Sequence, residues 1–511
     1  LKNKLNSLPL LDNKKYLHVS FGSDSSFLFK KLNKYVDVDY YNSKNYNPLF
    51  TKTEYDAVIV SYHGSSKSPY ASNIIPKDLS KIIEKIGENN KVVLSLFLNP
   101  YSLNSFKKID GFDSIVIGYQ NNLISQEIMA DLLTGSRSFK GKLPVSNNFF
   151  KVNHGILTNK KNTLGYSRPT YEGLDHNKLL FLDSIANSTI DSMMAPGIQI
   201  LVSRKGKIVY NKSFGYHTYK KVNKLENNHV FDLSSITKIL ATMPLVIQEY
   251  EMGNISLNTK LNELFPKKKL ADKSEMTVKE MLSHYARLRP WIPFYEETLN
   301  KKEKPKSRFY RSNSGSSFST PVTENLFLKS NYREKIFKSI IDSDLIDELE
   351  FKYSDLPFYF LKFWFEDVYN KPLDLIAKER IFNKLKLKKT MFNPYRHLSL
   401  SEIVPSEEDD FFRYSKLHGY VHDEGAAMLG GISGHAGLFS NSYEVAIILQ
   451  TMIQGGSYDN EKIFEPESFE IFNTCYYCEF NNRSGVGFDK PQIEGKHGST
   501  FGGVSKNSFG H

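Results

Sequence analysis

Phe231-Asp232-Leu233-Ser234-Ser235-Ile236-Thr237-Lys238 places a serine three residues before a lysine, at the head of a strongly apolar run from Ile239 to Val246. Worked outward, Ser234 to Glu251 predicts one long apolar helix. Residues at i and i+3 share a helix face, so Ser235 and Lys238 are expected side by side. A serine hydroxyl is a poor nucleophile until a base takes its proton, and an amine in a partly desolvated pocket has its pKa lowered toward that task. The helix N-terminus adds positive potential around a forming oxyanion. The bland alternative is a helix cap at Ser235 and a surface lysine at 238, and for an isolated Ser-x-x-Lys it wins. The surroundings therefore decide.

A second element is Tyr353-Ser354-Asp355, after Glu350-Phe351-Lys352 and before an apolar helix from Leu356 to Phe365. A tyrosine near an ammonium ionises more easily, so Tyr353 is a candidate base toward Ser235 and a later acid toward the leaving group. An isolated tyrosine reads as a buried ring with a satisfied hydroxyl. Ser235-Ile236-Thr237-Lys238 and Tyr353-Ser354-Asp355 together resemble the first two signatures of the penicillin-recognising serine hydrolases, the penicillin-binding-protein and class C β-lactamase type. Ser508-Phe509-Gly510-His511 is similar to the start of that family's His-Thr-Gly strand motif, which lines the site and supplies an oxyanion amide. Met281-Leu282-Ser283-His284 resembles its Leu-Leu-Ser-His helix, with Tyr285-Ala286-Arg287-Leu288 in place of the usual Thr-Ser-Gly-Leu. The runs Leu417 to Glu424 and Gly430 to Ser440 resemble segments beside the family's active site.

The resemblance implies Ser235, Lys238 and Tyr353 as catalytic residues, with Asp355 and His511 contacting substrate. Asp355 stands where the family most often has Asn. Ser235 attacks an acyl carbonyl, Lys238 and Tyr353 move the proton, backbone amides including that of Ser235 hold the oxyanion, and water releases the acyl-enzyme. Neither metal nor organic cofactor is needed. His418, His422, Asp423 and His435 also invite a zinc reading; their glycine-rich setting fits a packed loop better, and in the resembling family these histidines are not ligands.

Upstream, the apolar runs Tyr16 to Phe21, Ala57 to Tyr62, Val92 to Leu98 and Ser114 to Tyr119 alternate with helix-like stretches such as Leu79 to Ile86. Nearly continuous apolar strands predict a parallel sheet covered on both faces. Gly22-Ser23 and Asn99-Pro100 fall at strand ends, where doubly wound sheets place clefts, but no G-x-G-x-x-G follows. Leu98-Asn99-Pro100-Tyr101-Ser102-Leu103 and Gly141-Lys142-Leu143-Pro144-Val145-Ser146 resemble the Asn-Pro-Tyr loop and terminal Gly-x-Leu-Pro-Val strand of the C-terminal α/β domain of family-three glycoside hydrolases, β-N-acetylglucosaminidase type. That family's catalytic barrel is absent from these 511 residues.

The expected fold class is thus α/β: a parallel α/β sandwich over 1–152, a linker over 153–177, and over 178–511 a β-lactamase-like domain of antiparallel sheet plus helical subdomain. Gly197 to Tyr219 reads as a β-hairpin turning at Arg204-Lys205-Gly206, and Lys301 to Thr320 as an exposed loop. The combined order resembles fusion proteins of Bacteroidetes-like bacteria in which both halves act on peptidoglycan turnover products. It implies a peptidoglycan-fragment or other small-molecule substrate and a periplasmic or envelope location. Within the class, a muramyl-peptide amidase, carboxylesterase, D-alanyl carboxypeptidase and β-lactamase share the three motifs; a binding module with a decayed site is the alternative of another class.

Composition sets the outer limits. With 40% hydrophobic and 24% charged residues, the chain is of ordinary globular type, and 511 residues suggest several cores. The net charge of +11 comes from lysines scattered among Asn, Tyr, Ile and Phe, with no nucleic-acid-binding signature, so no nucleic-acid partner is expected. No run approaches the roughly 18 apolar residues of a membrane span. Leu1 to Lys15 lack a signal peptide's apolar centre, yet a chain that starts with Leu and stops inside a motif at His511 is expected to be a piece of a longer one. Cys475 and Cys478, in the aromatic segment Phe472 to Phe480, read as two core or loop cysteines rather than a zinc or redox pair.

Overall fold

The computed structural model describes residues 2–4, 7–42, 54–65, 74–491 and 504–511. They fall into two compact units, 1–168 with 205–208, and 169–204 with 209–511.

The first unit is built on a six-stranded sheet. Its strands are β1 (Lys2–Asn3), β2 (Lys15–Gly22), β3 (Asp37–Asn42), β4 (Ala57–His63), β5 (Val92–Phe97) and β6 (Ser114–Ile117), in the order β1-β6-β5-β4-β2-β3. All neighbours run parallel except β1 on β6. Alternate side chains of one strand enter different cores. Leu17, Val19 and Phe21 pack with Ile83 and Ile86 of helix α2 (Lys77–Asn89). Tyr16 packs instead with Leu28 and Leu32 of α1 (Ser26–Leu32) and with Met129 and Leu133 of α3 (Leu123–Leu133). Both faces are therefore covered, which is why the central strands read as continuous apolar runs. The four strands expected from sequence are present; β3 was not expected, because at this edge only Val38 is buried and its neighbours are Asp and Tyr. Gly22 ends β2 at φ +87°, and a Cβ there would meet the His63 carbonyl oxygen at 2.2 Å, so the first strand-to-helix turn requires glycine.

One local expectation is corrected here. Gly141 to Ser146 forms no strand: Leu143 is buried and pairs through its backbone with Asn153 and His154, outside the sheet. Residues Asn153 to Lys161 are hydrogen-bonded back to Leu143, Phe139 and Gly135. A two-residue strand β7 (Gly165–Tyr166) and a 3₁₀ turn at Pro169–Glu172 follow.

The second unit opens with helix α4 (His176–Asp191), capped by the Asp175 carboxylate on the amides of Asn177 and Lys178. Strands β8 (Gly197–Arg204) and β9 (Lys207–Gly215) form the expected hairpin. Its two turn residues, Lys205 and Gly206, both have positive φ (54° and 71°), the twist that matches the flanking strands. Strand β10 (Phe231–Asp232) pairs antiparallel with Leu438–Ser440, which pairs in turn with Met391–Phe392. The helical part is led by Leu356–Tyr369, whose first ten residues are all buried.

The apolar run after Ser235 is not one regular helix. A 3₁₀ turn at Ser234–Ile236 passes into a π turn at Lys238–Thr242, and α5 (Met243–Glu251) begins only then. Pro244 explains the interruption: it has no N–H for the Leu240 carbonyl and its ring would press on that oxygen, so the preceding turn widens.

Candidate active site

Asp232 ends β10 and fixes the start of the next turn from both sides. Its Oδ1 accepts the Ser234 N–H at 2.9 Å and its Oδ2 accepts the His422 N–H at 2.6 Å. Ser234 is thereby held at φ 47°, exposed, while Ser235 is half-buried in the first turn, whose leading amides have no acceptor within the helix. Thr237 ties the turn to the sheet by accepting the Leu438 N–H at 3.1 Å.

Lys238 is fully buried, and its Nζ is the hub of the site. It lies 2.8 Å from Ser235 Oγ, 2.5 Å from Tyr353 Oη and 2.8 Å from Asp355 Oδ1. The Asp355 contact has ion-pair distance without hydrogen-bond alignment. Tyr353 Oη donates to Ser235 Oγ at 3.1 Å and lies 3.0 Å from His511 Nε2. All five residues expected from sequence, Ser235, Lys238, Tyr353, Asp355 and His511, thus meet in one cluster, although Ser235 and His511 are 276 positions apart in the chain.

Each loop carrying them is anchored. Asp355 N–H donates to the Pro290 carbonyl at 2.9 Å, Ser354 Oγ donates to the Arg289 carbonyl at 2.6 Å, and Ser354 N–H donates to His284 Nδ1 at 3.2 Å. His511 is carried by a backbone pair between Gly510 and Asp489 (2.9 and 3.1 Å), with Phe509 edge-on to Phe469 and Phe488.

Burial dominates the electrostatics. It pushes the Lys238 ammonium below its ordinary value, against the raising effect of the Asp355 carboxylate. It pushes the Tyr353 phenol up, and Asp355 adds to that. Burial, with Lys238 close by, takes His511 down to about 4 and His284 to about 3. At neutral pH the cluster therefore holds a protonated phenol, two neutral imidazoles and an amine that gives up its proton more readily than a lysine in water. Such a set can accept the Ser235 proton at Lys238 and pass it on through Tyr353.

Sequence reading did not single out Asp232, His284 or Asp489. Asp232 and His284 fall inside motifs without being marked by them, and Asp489, half-buried and with its carboxyl pushed up by partial burial, adjoins no motif at all. The four residues weighed as a metal site are dispersed. His418 Nε2 contacts the Leu400 and Ile403 carbonyls, His422 is exposed beside Glu407, and only His435 and Asp423 meet, at 2.9 Å. Among the described residues no group of three or more His, Cys, Asp or Glu gathers to hold a metal ion, and no helix is long and apolar enough to cross a membrane. The cysteine expectation is corrected: Cys475 and Cys478 are bonded to each other. The turn between them brings their Cα atoms to 5.7 Å, within disulfide reach.

A mixed unit of helices and short sheets, with a serine, a buried lysine and a tyrosine in mutual contact, defines a β-lactamase-fold serine hydrolase. Residues 186–466, more than half of the 511, match the Beta-lactamase family, and the chain belongs to it. A Salmonella agona protein provisionally named D-alanyl-D-alanine carboxypeptidase is 28% identical over 348 residues, 63% of this chain and 73% of the relative. Its Salmonella typhimurium counterpart is 28% identical over 350 residues, with the same coverage. Solved structures with a related chain course include the octameric penicillin-binding protein homologue from Pyrococcus abyssi, with TM-score 0.45, 19% identity, and 61% of this chain and 65% of that one covered. A penicillin-binding protein homologue from Caulobacter crescentus gives TM-score 0.45, 14% identity, and 66% and 86% coverage.

Proposed function

We propose that this chain hydrolyses amide bonds of cell-wall muramyl peptides through an acyl-enzyme on Ser235, with Lys238 as base and Tyr353 as proton relay. The observation that carries the reading is the triangle of Ser235 Oγ, Lys238 Nζ and Tyr353 Oη, with sides of 2.8, 2.5 and 3.1 Å. The opposed effects of burial favour the amine over the phenolate as base, because the phenol is pushed up while the ammonium is pushed down. In the forward step Ser235 Oγ bonds to the acyl carbon as its proton passes to Nζ. The tetrahedral oxyanion faces the Ser235 amide, and collapse expels the amine with the proton delivered through Tyr353. Water repeats the sequence and frees the acid.

The first unit fits beside this as the C-terminal domain of a family-three glycoside hydrolase of β-N-acetylhexosaminidase type. The 3₁₀ turn at Pro100–Ser105, capped by Asn99 on the Tyr101 amide, supports that assignment. Were that family's catalytic barrel joined to it, two sites on one chain would raise the effective concentration of the second for the first one's product, which favours consecutive steps on one glycopeptide. An envelope location is favoured by the Cys475–Cys478 bond, since disulfides persist in oxidising compartments.

A second reading, D-alanyl carboxypeptidase, is favoured by the names of the 28% identical relatives. Incubating the protein with N-acetylmuramoyl-L-alanyl peptides, the same peptides still bearing N-acetylglucosamine, D-alanyl-D-alanine peptides, nitrocefin and a short-chain ester separates the readings. Release of peptide from the muramyl substrate is the expected result. Rapid turnover of the D-alanyl peptide with the muramyl amide untouched gives the function to the second reading.

A further inference from the structure

The 511 residues contain two tryptophans. Trp364 is 6% exposed in the core; Trp291 is 54% exposed. An indole is among the most costly side chains to leave in water, since it offers a large apolar face. Trp291 is not on a slack loop. On one side the Pro290 carbonyl holds the Asp355 N–H at 2.9 Å. On the other, Phe294 is buried edge-on to Tyr359 at 5.5 Å, and Tyr295 stacks on the fully buried Phe412 at 5.0 Å. Pro290 and Pro293 bracket it and restrict the backbone further. The segment is thus fixed at both ends and exposes the tryptophan between them.

Its place relative to the chemistry follows from the same contacts. Pro290 is one peptide unit, about 3.8 Å between Cα atoms, from Trp291. Through Asp355 it adjoins Lys238 Nζ, which is 2.8 Å from Ser235 Oγ. We propose that Trp291 forms a sugar-binding subsite beside the acyl centre, its indole face stacking on the N-acetylated pyranose that the acyl group carries. This rests on the muramyl-amide reading above. A pyranose has one face of C–H bonds and a rim of hydroxyls, so it covers an aromatic plane while its polar groups stay in water. Few other substituents of a water-soluble glycopeptide can do so. In a muramyl amide the sugar belongs to the acyl portion, so it remains beside the subsite in the acyl-enzyme.

The test compares the parent protein with Trp291→Ala and Trp291→Phe on an N-acetylmuramoyl-L-alanyl peptide and on a D-alanyl-D-alanine peptide without sugar. The rate of Ser235 labelling by a small fluorophosphonate serves as the check that the site is intact. An aromatic contact of this kind is worth up to about tenfold in affinity. KM for the muramyl substrate is expected to rise by about that factor in Trp291→Ala and less in Trp291→Phe. Its kcat, the kinetics on the sugar-free peptide and the labelling rate should stay unchanged. Equal effects on both substrates, or no effect on either, overturn the subsite. If the parent turns over neither substrate, the reading of the reaction fails separately, and fluorescence decides the subsite. Saturable quenching of Ser235→Ala by N-acetylmuramic acid, lost when Trp291→Phe is added, sustains it; a flat titration overturns it.

Discussion

Replacing Asp355 by Asn changes one thing at the site: a negative charge 2.8 Å from the Lys238 amine disappears. Size is nearly kept, and the backbone bond to the Pro290 carbonyl stays. Lys238 is fully buried, so solvent screens the pair little. An opposite charge at this range moves a pKa by about 1 to 3 units. The direction follows from the proposed roles. Lys238 acts as base only when neutral, so acylation rises with pH as it loses its proton. Burial lowers its pKa and Asp355 raises it; without Asp355 the acid limb of the profile should move to lower pH by about 1 to 3 units. The assay is the second-order rate of Ser235 labelling by a fluorophosphonate from acid to alkaline pH, in parent and variant. A limb that stays in place, or moves to higher pH, refutes Lys238 as the group whose deprotonation controls attack.

Further perturbations address the scaffold. Gly434→Ala should destabilise the second unit by about 1–3 kcal/mol, because its Cβ would sit 2.3 Å from the Phe358 carbonyl oxygen; unchanged denaturant unfolding would contradict the packing. Asp423→Asn should cost about 1–3 kcal/mol at neutral pH, through its bonds to His435 and the Ala426 amide. Burial alone would raise the Asp423 carboxyl, but His435 and that amide outweigh it and hold it well below the ordinary 3.8. Its contribution is therefore present above that value and lost as pH falls toward its folded-state pKa. The stability gap between parent and variant should shrink in acid, and a gap constant down to pH 3 would refute the assignment.

The chemistry was legible because it is local. Ser235 and Lys238 are one turn apart, and Tyr353 and Asp355 flank a single residue, so two short strings of letters contain four of the five clustered residues. The supports were not legible, because they depend on tertiary placement. Asp489 reaches the site through a backbone pair with Gly510, and no local pattern marks it. The first unit's central strands showed through as apolar runs since both faces are buried, whereas edge strand β3, Asp-Val-Asp-Tyr-Tyr-Asn, has almost no apolar signal. The long helix expected over Ser234 to Glu251 is interrupted: hydrophobic periodicity continues through Lys238–Thr242, and Pro244 is the mark of the break. The disulfide was missed because Cys-x-x-Cys spacing alone does not reveal whether the turn closes.

The central claim is that Ser235, and not its exposed neighbour Ser234, is the nucleophile. Peptide mapping by mass spectrometry after reaction with a fluorophosphonate or penicillin-type probe tests it most directly. The account predicts a single adduct on Ser235, retained in Ser234→Ala and absent from Ser235→Ala; an adduct on Ser234, or label persisting in Ser235→Ala, would contradict it.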